Sequence, residues 1–161
     1  TLMAAPPYNR GGVFILWNEG NGHFKDQVAD AVNNPAAAYM MSVADFKPVL
    51  VYKNEGGFEF GHISNDKKFI ALEKTGQGTS DSDVYLYNVA TKELKNITAH
   101  TGDVANSPQT FSPDSKHLYY LTDEGGEFRH VARYHLASGK KEAVERAPWV
   151  VMYTYFSRHE P

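Results

Sequence analysis

Apolar residues along this chain fall in short runs, many alternating with polar residues, and polar or glycine-containing breaks separate the runs. Alternation with a period of two marks a strand that buries one face. Between residues 58 and 98 the pattern predicts four strands, at 58–63, 69–74, 84–89 and 94–98. The breaks between them are Ser64-Asn65-Asp66, the polar and glycine-rich stretch from Gly76 to Asp83, and Ala90-Thr91-Lys92. Four more strands follow at 107–111, 118–122, 128–135 and 142–145. The break Asp123-Glu124-Gly125-Gly126 reads as a hairpin turn, because Gly125 and Gly126 tolerate the positive φ that primed turns demand. Helical periodicity is nowhere sustained. Its one candidate is Asp26 to Ala38, where Val28, Ala29 and Val32 line one side before Asn33-Asn34-Pro35 stops a short helix.

The strand groups are copies of one unit. Ile63-Ser64-Asn65-Asp66-Lys67-Lys68-Phe69-Ile70-Ala71-Leu72 returns 48 residues later as Phe111-Ser112-Pro113-Asp114-Ser115-Lys116-His117-Leu118-Tyr119-Tyr120. Residues 84–92 return 47 residues later as 131–139 and appear earlier as 38–46. A further copy of the first element begins at Thr154-Tyr155-Phe156-Ser157-Arg158. Four strands per period of about 46 residues is the arithmetic of a β-propeller blade, and a β-sandwich would not repeat its turn residues at fixed spacing.

The fold expected is therefore all-β, a propeller segment of four-stranded antiparallel blades numbering about three and a half. Residues 1–10 are a lead-in and 11–57 a partial blade with an insertion. Blades span 58–103 and 104–147, and 148–161 holds the first strand of a further, truncated blade. The strands number three, four, four and one. We expect these 161 residues to be part of a larger propeller, with exposed edge strands open to self-association.

The turn residues have a physical role of their own. Asp66 and Asp114 can accept hydrogen bonds from the backbone N–H two residues on, and Ser64 and Ser112 can do so more weakly. Lys67 and Lys116 are expected at the exposed start of the second strand. Ser64, Asp66, Ser112, Pro113, Asp114, Gly125 and Gly126 are thus structural turn residues.

Composition narrows the function classes. With 42% hydrophobic and 22% charged residues and a formal net charge of −3, the chain has the make-up of a folded domain. No apolar run is long enough for a helical membrane span. No basic cluster exceeds Lys67-Lys68 or Lys140-Lys141, so neither nucleic acid nor a membrane surface is an expected partner. The absence of cysteine excludes disulfides, thiolate metal sites and a cysteine nucleophile.

The run Phe111-Ser112-Pro113-Asp114-Ser115-Lys116 resembles the Ser-Pro-Asp-Gly-x-Lys blade motif of Tol-type propellers and of the propeller domain of the prolyl oligopeptidase family of serine peptidases. Three runs together resemble the N-terminal propeller of that family's bacterial dipeptidyl aminopeptidase/acylaminoacyl peptidase branch. They are residues 63–72, Thr98-Ala99-His100-Thr101-Gly102-Asp103-Val104, and Tyr120-Leu121-Thr122-Asp123-Glu124-Gly125-Gly126-Glu127-Phe128. The resemblance covers roughly residues 11–158. It departs from the pattern at Asn65 for proline, at Ser115 for glycine and at Arg158-His159. It implies a non-catalytic propeller that gates and orients peptide substrates for an α/β-hydrolase domain of the same parent protein, cytoplasmic or periplasmic in a bacterium. A free-standing Tol-type periplasmic interaction propeller and a propeller-type oligogalacturonate lyase are the alternatives.

Catalytic residues are not found. The sequence contains no Gly-x-Ser-x-Gly elbow, and Gly76-Gln77-Gly78-Thr79-Ser80 sits in a polar loop. His23, His62, His100, His117, His130, His135 and His159 form no short-spaced ligand set, and His130 and His135 point to opposite faces of one strand. Neither a metal nor a cofactor is expected. Asp81-Ser82-Asp83 and Asp123-Glu124 read as solvated turns, since no EF-hand spacing surrounds them. Asn96-Ile97-Thr98 satisfies the glycosylation sequon. The aromatic residues fall mostly on strands and are expected to pack between sheets.

Overall fold

The computed structural model describes residues 13–16, 37–41, 47–76 and 80–156. Every regular element among them is a strand: β1 (Val13–Leu16), β2 (Ala37–Met41), β3 (Pro48–Lys53), β4 (Glu59–Ile63), β5 (Phe69–Thr75), β6 (Ser82–Asn88), β7 (Leu94–Asn96), β8 (Asn106–Phe111), β9 (His117–Thr122), β10 (His130–His135) and β11 (Lys141–Glu145). The chain divides into two units, Thr1–Gly57 and Phe58–Pro161. No helix among the described residues is long and apolar enough to cross a membrane.

The first unit holds a three-stranded sheet in the order β1-β2-β3. β2 and β3 are antiparallel, but β1 and β2 run parallel, with Val13 opposite Ala38 and Leu16 opposite Met41. This departs from the antiparallel blade expected over residues 11–57. Parallel neighbours need a long crossover, and the stretch between Leu16 and Ala37 supplies the length. Ala37 and Ala38, placed at the end of the candidate helix, are strand residues; the rest of that candidate lies outside the described residues.

The second unit is built from two four-stranded antiparallel meanders, β4-β5-β6-β7 and β8-β9-β10-β11, each strand hydrogen-bonded to its neighbours in sequence. They are successive blades of a β-propeller domain, the same backbone path traced twice. Their hairpin registers match: Phe69 pairs with Asn88 in the first blade and His117 with His135 in the second.

Both faces of the central strands carry buried residues: Ile70, Leu72 and Tyr87 on one side of the first blade, and Ala71 with its neighbours on the other. In β5 and β6, Ala71, Val84 and Leu86 lie on one face; in β9 and β10, Leu118, Tyr120, Ala132 and Tyr134 do. These residues, with Ile97 and Phe111, form one apolar core between the blades. β4 is closely packed at Gly61, where an added Cβ would lie 2.9 Å from Pro108 Cγ and 3.0 Å from the Ala71 carbonyl oxygen. Pro108 itself sits at a bulge in β8, where its missing N–H breaks no regular ladder.

Two expectations are corrected here. No strand covers residues 149–156. The segment is nonetheless tied to the second blade, Val151 N–H donating to the Arg129 carbonyl and Thr154 N–H to Gln109 Oε1. The second concerns the hairpin at Gly125 and Gly126. The connection between β9 and β10 spans residues 123–129, because β10 begins at His130 and not at 128, and within it positive φ occurs at Gly125, +69°, and not at Gly126. A primed type I turn would need it at Glu124 as well.

Candidate functional site

The repeated turns are built alike. Ser64 Oγ donates to Asp66 Oδ1 at 2.7 Å and accepts from Phe69 N–H at 3.0 Å; Ser112 Oγ donates to Asp114 Oδ1 at 2.6 Å and accepts from His117 N–H at 3.0 Å. Asp66 Oδ1 accepts from Lys68 N–H and Asp114 Oδ1 from Lys116 N–H. The serines are the buried members and make as many bonds as the aspartates, contrary to the weaker role expected of them. The third turn residue, Lys67 or Ser115, takes a left-handed φ of +61° or +55°. Lys68, not Lys67, is thus the counterpart of Lys116 at the exposed start of the strand, and Lys67 is half-buried.

Two of the departures from the blade motif, Asn65 and Ser115, are used between the blades, and the third, Arg158-His159, lies outside the described residues. Asn65 Nδ2 donates to the Pro113 carbonyl at 3.0 Å, and Asp66 N–H donates to Ser115 Oγ at 3.1 Å. Proline at 65 and glycine at 115 would each remove one bond. The turns are fold residues that also join neighbouring blades.

The opposite end of the sheets holds a polar centre that the sequence reading missed. His100, on the crossover from β7 to β8, is almost wholly buried and set among acceptors. Its Nε2 lies 3.1 Å from Asp81 Oδ1, and its Nδ1 lies 3.1 Å from Asp83 Oδ1 and 3.0 Å from the Thr98 carbonyl. Burial opposes charge on the ring, but the Thr98 carbonyl and the two carboxylates outweigh it and hold the His100 pKa above its usual value. Asp81 and Asp83 are therefore not a solvated turn. Asp83 also accepts from Thr98 Oγ1 at 2.9 Å and Asn96 Nδ2 at 2.8 Å, and Thr98 Oγ1 accepts from Val84 N–H at 2.8 Å. Those bonds engage both polar ends of the sequon, so glycosylation of Asn96 would break a packed network.

Beside this centre the blades are zipped together. Ser82 Oγ donates to the Asn106 carbonyl at 2.7 Å and accepts from Asn106 N–H at 3.0 Å, while Asn106 Nδ2 donates to the Ser82 carbonyl at 3.0 Å. Asp123, at the start of the β9–β10 connection, accepts from Ala105 N–H at 2.8 Å. The spacing signal was available: Asp81 and Asp83 are two apart, as are Asn96 and Thr98, so each pair shares a face and the two pairs meet across β6 and β7.

An open depression adjoins His100, lined by Ala99, Thr101 and Val104 of the crossover and by Glu124 and Gly125 of the β9–β10 connection. Two of the runs that carry the family resemblance, 98–104 and 120–128, thus meet at one place.

Among the described residues no other histidine lines the depression. His62 lies on β4, and His23 and His159 fall outside the described residues. His130 is buried, while His135 stacks edge-on against His117 with ring centroids 4.9 Å apart. Among the described residues no group of three or more His, Asp or Glu side chains is placed to hold a metal ion. After β11 the aromatic packing expected between sheets gives way to exposure: Trp149, Tyr153 and Tyr155 are 65%, 69% and 72% accessible. Phe156 alone of that segment's rings reaches back to the blade, edge-on to Tyr119 at 5.1 Å.

No family model matches the sequence, and no curated protein matches it. Among solved structures the chain is similar to TolB from Acinetobacter baumannii, at 19% identity and a TM-score of 0.46, over 65% of this chain and 25% of TolB. It is also similar to the tricorn protease, at 24% identity and a TM-score of 0.35, over 51% of this chain and 8% of that protein. The chain thus matches a quarter or less of the length of either.

Proposed function

We propose that this chain is the non-catalytic propeller portion of a prolyl-oligopeptidase-type serine peptidase, gating and orienting peptide substrates for an α/β-hydrolase domain. The observation that carries the reading is the meeting of residues 98–104 and 120–128 around one open depression. These are two of the three runs that together resemble the family; they come from different blades and have no reason in the blade repeat to match a single family together. The 161 residues contain no nucleophile elbow, so the contribution of this region is steric exclusion and orientation, which lower the barrier by limiting the poses a peptide can take. Bond-making falls to the partner domain.

The test is to isolate the native protein with an antibody raised against this chain and treat it with a fluorophosphonate probe. Labelling of a serine outside these 161 residues, blocked by a peptide substrate, is the expected result. A native propeller that takes no label and instead retains a protein partner would replace the proposal with a free-standing Tol-type interaction propeller.

A further inference from the structure

We propose that His100 is a pH-sensitive clasp: protonated, it pins the crossover 99–105 to the first blade, and on losing its proton it releases that crossover and with it one wall of the depression. The geometry carries the inference. Three acceptors, Asp81 Oδ1, Asp83 Oδ1 and the Thr98 carbonyl, face the two ring nitrogens within 3.1 Å. A neutral imidazole keeps a proton on only one nitrogen, so its other nitrogen would present a lone pair to a carboxylate or a carbonyl. Only the doubly protonated ring satisfies all of them. The one donor described near the ring, Asn106 Nδ2, gives one of its two hydrogens to the Ser82 carbonyl and stands 3.5 Å from Nδ1, too long to match the three acceptors.

The crossover depends on that ring more than on its own bonds. Between Ala99 and Val104 the backbone makes one described bond to the rest of the chain, the Val104 carbonyl accepting from Ser82 N–H. Gly102 takes a φ of +81° within the same stretch. Of residues 99–104 only His100 has a deeply buried side chain; Ala105, where the crossover ends, is buried and donates its N–H to Asp123.

The charged groups around the site agree in sign. From the first blade come Asp81 and Asp83; Asp103 lies on the crossover itself; and the second blade brings Asp123 and Glu124. Arg146 is the opposing cation, and it is turned to the Gly125 carbonyl at 3.2 Å. His130, the other buried imidazole of the second blade's end, has its pKa lowered by burial and by Arg146 and titrates in the opposite sense. The sign for His100 follows from its raised pKa. The clasp is fully closed below the unfolded value of 6.5 and opens as the pH rises through the higher folded value.

Two measurements on the 161-residue chain test the proposal. The ring proton signals of His100, assigned by NMR, should titrate above 6.5, and Asp81→Asn should move that midpoint down. Amide exchange of residues 101–104, corrected for intrinsic rates, should lose protection across the same midpoint, by on the order of tenfold for each unit that the folded pKa exceeds the unfolded one. Protection of β5 and β6 should not change with it. His100→Gln should abolish the pH dependence and leave the crossover unprotected at every pH. A midpoint at or below 6.5, or crossover protection that is flat with pH in the parent chain, overturns the proposal. Should His100→Gln fail to fold, the Asp81→Asn titration decides alone, and an unmoved midpoint counts against the clasp.

Discussion

Lys67 and Ser115 occupy the same turn position, with φ of +61° and +55°, yet glycine should act differently at each. The left-handed region costs a residue with a Cβ roughly 1–2 kcal/mol. Glycine recovers this and loses about 0.5–1 kcal/mol in backbone entropy. Lys67→Gly gives up, among the contacts of a half-buried side chain, an exposed bond from Nζ to the Asn65 carbonyl of small net value, so it should stabilise the chain by at most about 0.5 kcal/mol. Ser115→Gly gains the same relief but removes the acceptor of Asp66 N–H, a bond between blades with a net worth of about 0.5–1.5 kcal/mol. It should be neutral or mildly destabilising. Ser115→Ala keeps the strain and loses the bond, so it should be the worst of the three, by about 1 kcal/mol relative to the parent. Equilibrium urea unfolding measures the differences, with an unchanged slope as the condition for comparing midpoints. Ser115→Ala equal in stability to the parent, or Ser115→Gly as stabilising as Lys67→Gly, would refute the view that this side chain joins the blades.

Three further outcomes follow from packing and titration. Gly61→Ala forces a Cβ against Pro108 and a backbone oxygen, and should destabilise the second unit by about 1–3 kcal/mol in the same unfolding assay; a neutral effect would mean that β4 and β8 are not held so closely. Ser82→Ala leaves Asn106 N–H without its acceptor in a buried site, and should cost about 1–3 kcal/mol, whereas Ser80→Ala should change little. His130, its pKa lowered by burial first and by Arg146 next, contributes stability that is present above 6.5 and is lost as the pH falls toward its folded value. Thermal unfolding of His130→Asn should therefore lose part of the decline below pH 6.5, and an acid limb identical to the parent's would exclude this residue as its source.

How much of this was readable beforehand depends on the range of the interaction. The strands of both complete blades lie within a few residues of where the short apolar runs and their polar breaks placed them, because each run is a strand with buried residues and each break is a turn. The turns were readable since Ser64, Asp66, Ser112 and Asp114 bond to backbone within five residues. The parallel pairing of β1 and β2 was not, because periodicity within a strand says nothing of its neighbour's direction. His100 was hidden for a similar reason. Its partners Asp81 and Asp83 lie 19 and 17 residues before it, and a lone histidine between Ala99 and Thr101 carries no local pattern.

The repeat itself explains the largest gap. It conserves backbone path and turn chemistry but not the chemistry of the blade faces. Ala71 and Leu86, opposed on the first blade and buried in the core, correspond to Tyr119 and Arg133, opposed on the second. There Arg133 is paired with Glu142 through both Nε and Nη2, and His117 and His135 stack where Phe69 and Asn88 stand in the first blade. Burial, then Arg133 and His135, lower the His117 pKa, which keeps that ring neutral in a face already carrying a guanidinium. A turn repeats when the same backbone bend must be closed with the same hydrogen bonds. A face is free to change as soon as what lies against it changes. The apolar Ala71–Leu86 face is met by the second blade, whereas the described segment crossing the Tyr119 face is the extended chain at 151–156, which reaches it through Phe156. The path and turns of the two described four-stranded blades therefore follow from the sequence arithmetic, while what each blade face contacts is set by single residues that no period contains.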